Sequence, residues 1–230
     1  MGFSVLIISF TFYSFDHLGK TNITSEQGKK IIQETVDVKP KGTIKAELSV
    51  YPFQEAVKEA DSIVEVQIIK KLEEINEPSP KTLFEATAIE NYKGENNEKM
   101  IQILQEGNNE WVYEDNNLFQ ANDKYILFLK KYEGNEYDSD KTYWILGAQT
   151  NTYSVLNNNE IMKNAYYDEE LSDIEKTKEI ENSNRIIDTK MNNLRNVSID
   201  EKDLKEADIQ VFNKDTFVNE LNNTVKLIEK

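Results

Sequence analysis

The octapeptide KYILFLKK at positions 124–131 places five consecutive apolar side chains between lysines. Successive side chains of a β-strand point to opposite faces of the sheet. A strand with this sequence is therefore apolar on both faces at its centre, which is typical of strands that are covered on both sides. We predict that 124–131 is the most buried strand of the fold.

The segments on either side of this strand alternate apolar and polar residues with a period of two. Val64, Val66 and Ile68 share one face of a predicted strand, and Glu65 and Gln67 lie on the other. Such alternation is typical of half-buried strands. The strands predicted on these grounds are 43–50, 62–70, 82–92, 99–105, 142–147 and 152–156. A short connection containing Gly and Asn predicts a hairpin between the strands at 82–92 and 99–105.

Two segments show the spacing of a helix instead. After Pro52, which favours a first helical turn, one apolar face is formed by Phe53, Ala56, Val57 and Ala60. Near the C-terminus, Asp215 is the predicted N-cap of a second helix that packs on the barrel. Its predicted apolar stripe consists of Phe217, Val218, Leu221, Val225, Leu227 and Ile228.

These elements predict an all-β to α+β fold, namely a small antiparallel barrel with a short helix after the first strand and C-terminal helices. Six or seven short strands at this spacing favour a closed or nearly closed barrel, and closure removes exposed strand edges. We expect the barrel domain to occupy 43–163. A polar, charge-rich segment at 164–213 is interpreted as a helical or mobile insert, with a coiled-coil partner site as the alternative. The final helix is expected at 214–230.

Four segments carry a resemblance to known proteins: PFQEAVKEADSIVEVQI (52–68), EATAIENYKGEN (85–96), NDKYILFLKK (122–131) and YWILGAQTNTYSV (143–155). They resemble ordered blocks of uncharacterised exported proteins of low-GC Gram-positive bacteria. Those proteins are in turn similar to the netrin-like, metalloproteinase-inhibitor-like OB barrel, so the resemblance implies an OB-like barrel. Inhibitors of that fold chelate the protease zinc through an amino-terminal cysteine. This chain has no cysteine, and that chemistry is not carried over.

The N-terminus contains an uncharged apolar run, FSVLIISFTFYSF at 3–15. The run is shorter than a spanning helix needs, but it has the length of the apolar region of an export signal. We therefore interpret 1–18 as a signal or membrane-anchor segment and the polar 19–42 as a tether. A buried strand is the alternative. The interpretation implies an extracytoplasmic protein, secreted or anchored, that contacts the membrane through this segment only.

Composition excludes several classes of function. The net charge of −15 repels phosphate backbones, so nucleic acid is not an expected partner. Without cysteine, disulfides, thiolate nucleophiles and zinc–thiolate sites are excluded. The only histidine, His17, lies beside the apolar N-terminal run, which argues against a histidine-based active site within the fold. We expect no cofactor and no enzymatic activity.

The candidate ligand-binding residues are Trp111, Tyr113, Phe119 and Trp144. Aromatic side chains can form a stacking platform of the kind that OB barrels present to sugars or bases. Core packing is the alternative, because aromatic residues also dominate protein interiors. Tyr143 and Trp144 point to opposite faces of one strand, so at least one of them is expected in the core.

Carboxylates cluster in two polar loops, around 110–115 and 136–140. Asp115, Asp138 and Asp140 are candidate calcium ligands, since calcium prefers oxygen donors. Acidic residues are also frequent in solvated turns, which is the alternative interpretation. A pair of such carboxylates would further allow glycoside hydrolysis.

The function expected from the sequence is that of an extracytoplasmic, non-catalytic binding or protein-interaction module. An envelope protein or a cell-wall component is the expected kind of partner. The alternatives are a protease inhibitor, on the resemblance, and a carboxylate-based cell-wall hydrolase.

Overall fold

The computed structural model describes residues 42–44, 49–94, 98–113, 116–156, 159–163, 165–175 and 209–229. These residues all belong to one compact unit, Lys39–Lys230. The expected signal or anchor segment, almost all of the tether, and 176–208 of the expected insert lie outside the described residues. None of the helices in the described ranges is long and apolar enough to cross a membrane.

The described residues of this unit form ten strands and two α-helices. The strands among the described residues are β1 (Gly42–Ile44), β2 (Ser62–Ile75), β3 (Lys81–Lys93), β4 (Met100–Glu106), β5 (Trp111–Tyr113), β6 (Lys124–Lys131), β7 (Thr142–Ile145), β8 (Thr152–Val155), β9 (Glu160–Lys163) and β10 (Gln210–Asn213). The helices are α1 (Phe53–Glu59) and α2 (Lys214–Ile228), and two 3₁₀ turns occupy Ala148–Asn151 and Glu169–Ile174.

Five of the strands close into a barrel in the order β2, β3, β4, β7, β6 and back to β2. The predicted closed barrel is therefore present. It is not wholly antiparallel, because β4 and β7 pair in parallel. A closed ring with an odd number of strands must contain at least one parallel pair, which the alternation pattern alone does not reveal. Four register shifts between β2 and β3 bend these long strands around the barrel.

Strand β6 lies at the centre of the fold and is covered on both faces, as its sequence predicted. It is not the most buried strand, because all four residues of β9 are buried. One edge pairs with β2, and the other pairs first with β8 and then with β7. Leu127 and Leu129 point into the barrel, whereas Ile126 and Phe128 point into a second core on the other side. All five residues at 125–129 are buried, because each face of the strand has its own apolar environment.

The second core lies outside the barrel. Strands β8, β9 and β10 continue the sheet from β6, and helices α1 and α2 cover it. The boundary at 163 is also corrected, since part of the expected insert belongs to the sheet. Leu171 and Phe212 are buried in the second core, and β10 pairs with β9.

The two helices lie near their predicted positions, with two corrections to α2. Its N-cap is Asn213, whose side-chain oxygen accepts a hydrogen bond from the Thr216 backbone N–H at 3.1 Å. Asp215 is exposed. The apolar stripe ends at Val225, since Leu227 is 72% exposed and Ile228 is 38% exposed. In α1, Phe53, Ala56 and Val57 are buried as predicted, and so is the adjoining Ala60.

Of the first predicted strand, 43–50, the structure describes 43–44 and 49–50. Residues 43 and 44 belong to β1, which lies outside the barrel. Strand β1 pairs in parallel with β5 in a separate two-stranded sheet. Ser49 and Val50 belong to no strand, and both are exposed. Apolar alternation predicts a strand but does not specify its partner, which for β1 is β5 and not a barrel strand.

Candidate functional site

The outer surface of the barrel carries an aromatic cluster between two connections of the chain, 76–80 and 132–141. We call it the outer aromatic patch, and it consists of Tyr132, Tyr137 and Trp144 over Ile75, Leu83 and Leu104. Strand register builds its floor, because Leu83 pairs with Leu104 and Leu104 pairs with Trp144 across β3, β4 and β7. Side chains at paired positions share a face of the sheet. The three residues therefore form a row across the barrel wall.

The rings of the patch contact each other at oblique angles. Tyr132 lies 5.5 Å from Tyr137 in an edge-to-face arrangement and 5.9 Å from Trp144 in a tilted one. Tyr132 is buried, whereas Tyr137 and Trp144 are half-buried and keep part of their surface in solvent. A side chain at Gly134 would place a Cβ 2.0 Å from the Tyr132 hydroxyl oxygen. Glycine there lets the loop close against the ring.

Lys81 lies at the edge of the patch. Its Nζ is 5.3 Å from the centre of the Trp144 ring, which is within the range of a cation–π contact. The same ammonium donates a hydrogen bond to the Ser79 hydroxyl and lies 4.0 Å from a Glu106 carboxylate oxygen. Burial raises the pKa of Glu106, although the charge of Lys81 opposes that shift. The face of Trp144 is therefore already in contact with one cation.

Tyr137 stands in an acidic setting. Burial raises the pKa of its hydroxyl, and the negative charges of Glu73 and Glu136 raise it further. The phenol is thus neutral at ordinary pH, so its hydroxyl can donate a hydrogen bond. The patch combines apolar ring surface with polar groups at its edge, an arrangement that can hold a ligand by stacking and hydrogen bonding.

Of the four aromatic residues predicted as ligand contacts, the structure places only Trp144 in this patch. Tyr143, its neighbour in β7, is buried in the barrel interior, so the prediction that one of the two is a core residue is confirmed. Phe119 is also a barrel core residue, 4.4 Å from the Tyr125 ring. The buried side chain of Gln105 holds it there by accepting a hydrogen bond from the Phe119 backbone N–H at 2.9 Å.

Trp111 lies on β5, apart from the patch in the strand order, and is 39% exposed. The side-chain oxygen of Asn108 accepts hydrogen bonds from the backbone N–H groups of Glu110 and Trp111, which fixes this loop. A Cβ at Gly42 would lie 2.6 Å from the Trp111 ring, so the ring packs closely on β1. The side chain of Tyr113 lies outside the described part of the structure.

Two of the candidate calcium ligands, Asp138 and Asp140, make the contacts of an ordinary polar turn. Asp138 accepts a hydrogen bond from the Asp140 backbone N–H at 3.1 Å and forms an ion pair with Lys141 at 3.3 Å, and these contacts lower its pKa. Asp140 lies 3.8 Å from Lys131. Asp115 lies outside the described residues. Within the described ranges, no three acidic or histidine side chains converge in a group that could hold a metal ion.

Apart from the outer aromatic patch, a polar cluster lies buried between the sheet and α1. Lys163 is fully buried and donates hydrogen bonds to the backbone carbonyls of Ala165 and Tyr166 at 2.7 and 2.6 Å. Nearby, the Oδ2 atom of Asp168 and the hydroxyl of Tyr153 are buried and have no hydrogen-bond partner among the described residues. Burial raises the pKa of both groups, and the charge of Asp168 adds to the shift of Tyr153. This cluster is closed to solvent, unlike the outer aromatic patch.

The sequence pattern did not indicate three residues of this surface: Tyr132, Tyr137 and Lys81. Tyr132 directly follows the most apolar strand, and Tyr137 lies in an acidic turn. A tyrosine at each of these positions could have indicated a binding surface. Only the pairing of β3, β4 and β7 brings them to Trp144.

A scan against protein-family models and a search of curated proteins both found no match to this chain.

Proposed function

We propose that this protein is a non-catalytic binding module that acts outside the cytoplasm and binds an envelope component through the outer aromatic patch. The observation that carries the proposal is the convergence of Tyr132, Tyr137 and Trp144 on one face of a closed barrel. The extracytoplasmic part rests on the apolar run at 3–15. The non-catalytic part rests on the lack of cysteine and on a single histidine that lies in the N-terminal segment.

The position of the patch supports an OB-like barrel as the finer description of the fold. OB barrels bind oligosaccharides and oligonucleotides on the face of their second and third strands, beside the loops that join strands one to two and four to five. With β2 counted as the first barrel strand, the patch lies on β3 and β4. It is then flanked by the loops 76–80 and 132–141, which hold the corresponding places.

The test is retention of the full chain on cell-wall sacculi from a Gram-positive bacterium, with and without prior protease treatment of the sacculi. We expect Trp144→Ala and Tyr137→Ala each to weaken retention by roughly tenfold, which corresponds to about 1.4 kcal/mol. Tyr137→Ala is the cleaner variant, since Tyr137 lies in a loop and carries no strand pairing.

Trp111→Ala is the matched control, because it removes the other tryptophan from a site outside the patch. If both patch variants are still retained on the sacculi and Trp111→Ala is not, the binding surface lies on β5 and not on the patch. Thermal melts of all variants separate lost binding from lost folding.

A further inference from the structure

We propose that the outer aromatic patch binds a cationic amino-sugar glycan, an inference that rests on the proposed function of the patch as a binding surface. Three observations support it: the lack of a free main-chain edge beneath the patch, the excess of carboxylates around it, and the cation already in contact with Trp144.

The strands beneath the patch offer no edge to an extended peptide. Over Lys81–Thr87, β3 is paired with β2 on one side and with β4 on the other. At Gln102–Leu104, β4 is paired with both β3 and β7. Peptides that bind sheets gain their affinity from main-chain hydrogen bonds to an open edge. Recognition here must come from ring faces and side chains, which suits the flat faces of sugar rings.

The charges around the patch are unbalanced. The segments 71–81 and 131–141, together with Glu106, contain eight carboxylates and four lysines. Each lysine has an acidic partner: Lys71 with Glu74, Lys81 with Glu106, Lys131 with Asp140, and Lys141 with Asp138. Lys130, next along β6, is paired with Asp61 at 2.8 Å. The lysines around the patch are therefore neutralised.

Four carboxylates remain: Glu73, Glu77, Glu133 and Glu136. Within the described ranges, no lysine or arginine lies at ion-pair distance from any of them. Two of the four, Glu73 and Glu136, act electrostatically on Tyr137 within the patch. The unpaired charges that act on Tyr137 are thus negative, and they favour a ligand that carries positive charge.

Within the patch, Lys81 and Trp144 already form one cation–π contact. An ammonium lies 5.3 Å from the indole centre, and the negative face of an aromatic ring attracts cations. A glycan with free amino groups presents the same ammonium together with ring surface for stacking. An N-acetylated glycan keeps the ring surface and lacks the charge.

The experiment is calorimetric titration of the full chain with a glucosamine hexamer and with its N-acetylated counterpart, at mildly acidic pH where the sugar amines are protonated. We expect the glucosamine hexamer to bind at least about tenfold more tightly, and its affinity to fall as salt rises. Glu73→Gln and Glu136→Gln should each weaken it about two- to fivefold. Glu220→Gln, an exposed acid on α2 over the second core, is the matched control and should leave it unchanged.

Equal affinity for the two hexamers would overturn the inference while leaving the patch as a binding surface for neutral glycans. A lysine hexapeptide that binds as tightly as the glucosamine hexamer, and is equally sensitive to Tyr137→Ala, would overturn the choice of a glycan. Binding to neither hexamer also overturns the inference. Retention on sacculi, with its Trp144 and Tyr137 variants, then decides the proposed function independently.

Discussion

At the scale of single residues, charged side chains in the second core are held by specific partners. Glu65 is buried, and it accepts a hydrogen bond from the Tyr92 hydroxyl at 3.1 Å and pairs with Lys214 at 2.7 Å. Alternation along β2 predicts that Glu65 faces away from the barrel interior, which it does, but that side is covered by α2. Buried charges are tolerated when they are paired and hydrogen-bonded, and one group in this core does not meet that condition fully.

Asp168 is that group, since one of its buried carboxylate oxygens has no hydrogen-bond partner among the described residues. Burial raises its pKa above the ordinary value of 3.8, although the backbone N–H groups of Glu170 and Phe53 and the charge of Lys163 oppose the shift. The folded state therefore binds this proton more tightly than the unfolded chain does. The contribution of Asp168 to stability rises as pH falls through the raised pKa, and it levels off below the ordinary one.

We expect Asp168→Asn to raise the free energy of unfolding at neutral pH by about 1 kcal/mol, because the amide removes a buried charge whose desolvation outweighs its favourable contacts. The gain should shrink as the pH of denaturant titrations is lowered, since protonation then neutralises the wild-type carboxyl. Asp173→Asn, an exposed acid in the same 3₁₀ turn, is the control and should show neither effect. A loss of stability in Asp168→Asn that is independent of pH would contradict this account.

At the scale of elements, α1 is a short helix that is held at both ends by distant side chains. With seven residues it is marginal alone, and its N-cap, Pro52, provides no side-chain hydrogen bond. Instead, Glu170 accepts a hydrogen bond from the Gln54 backbone N–H at 2.8 Å. At the other end, Lys93 donates to the carbonyls of Val57, Lys58 and Ala60 at 2.7, 2.9 and 2.6 Å. Carboxylates at the start and an ammonium at the end both complement the helix dipole.

Lys93→Met should lower the free energy of unfolding by about 2 kcal/mol, because the last carbonyls of α1 lose a charged donor. The matched control is Lys58→Met, since Lys58 is exposed and lies 3.8 Å from its only ion-pair partner among the described residues, the exposed Glu59. We expect the control to melt like the wild type. Equal melting temperatures for Lys93→Met and the wild type would show that packing alone holds α1 in place.

Sequence periodicity predicts most elements of this fold, because each of them packs against neighbours that have the same kind of apolar pattern. Strands β2, β3, β4 and β6 and helix α1 all follow from alternation or helical spacing. Strand β10 was missed because it follows a long polar segment. Its place depends on pairing with β9, which is distant in sequence.

The candidate site was predicted only at Trp144. Sequence could indicate that Tyr143 and Trp144 face opposite sides, but it could not tell which side is the interior. Phe119 was taken as a loop aromatic because 107–122 is polar, and its burial depends on Gln105 drawing the loop over the barrel. The outer aromatic patch forms from register between three strands, and no local pattern encodes that register.

At the scale of the whole molecule, the two cores share β6 as a common wall. Leu127 packs in the barrel and Phe128 packs in the second core, where its ring lies 6.3 Å from Phe53 and 5.5 Å from Tyr153. Because close-packed interiors transmit strain, loosening one face of β6 should disturb the other. The barrel and the helical layer should therefore unfold together.

We expect Phe128→Ala and Leu127→Ala each to lower the free energy of unfolding by about 3 kcal/mol, through lost burial and a residual cavity. The measurement follows two probes in a Trp111→Phe background: the fluorescence of Trp144 reports the barrel, and far-ultraviolet circular dichroism reports α1 and α2. In both variants the two transitions should shift together, as in a two-state unfolding. Leu227→Ala, at a site that is 72% exposed, should shift neither. Early loss of helix with an unchanged Trp144 transition in Phe128→Ala would show that β6 does not couple the two cores, and that the barrel folds without its helical cover.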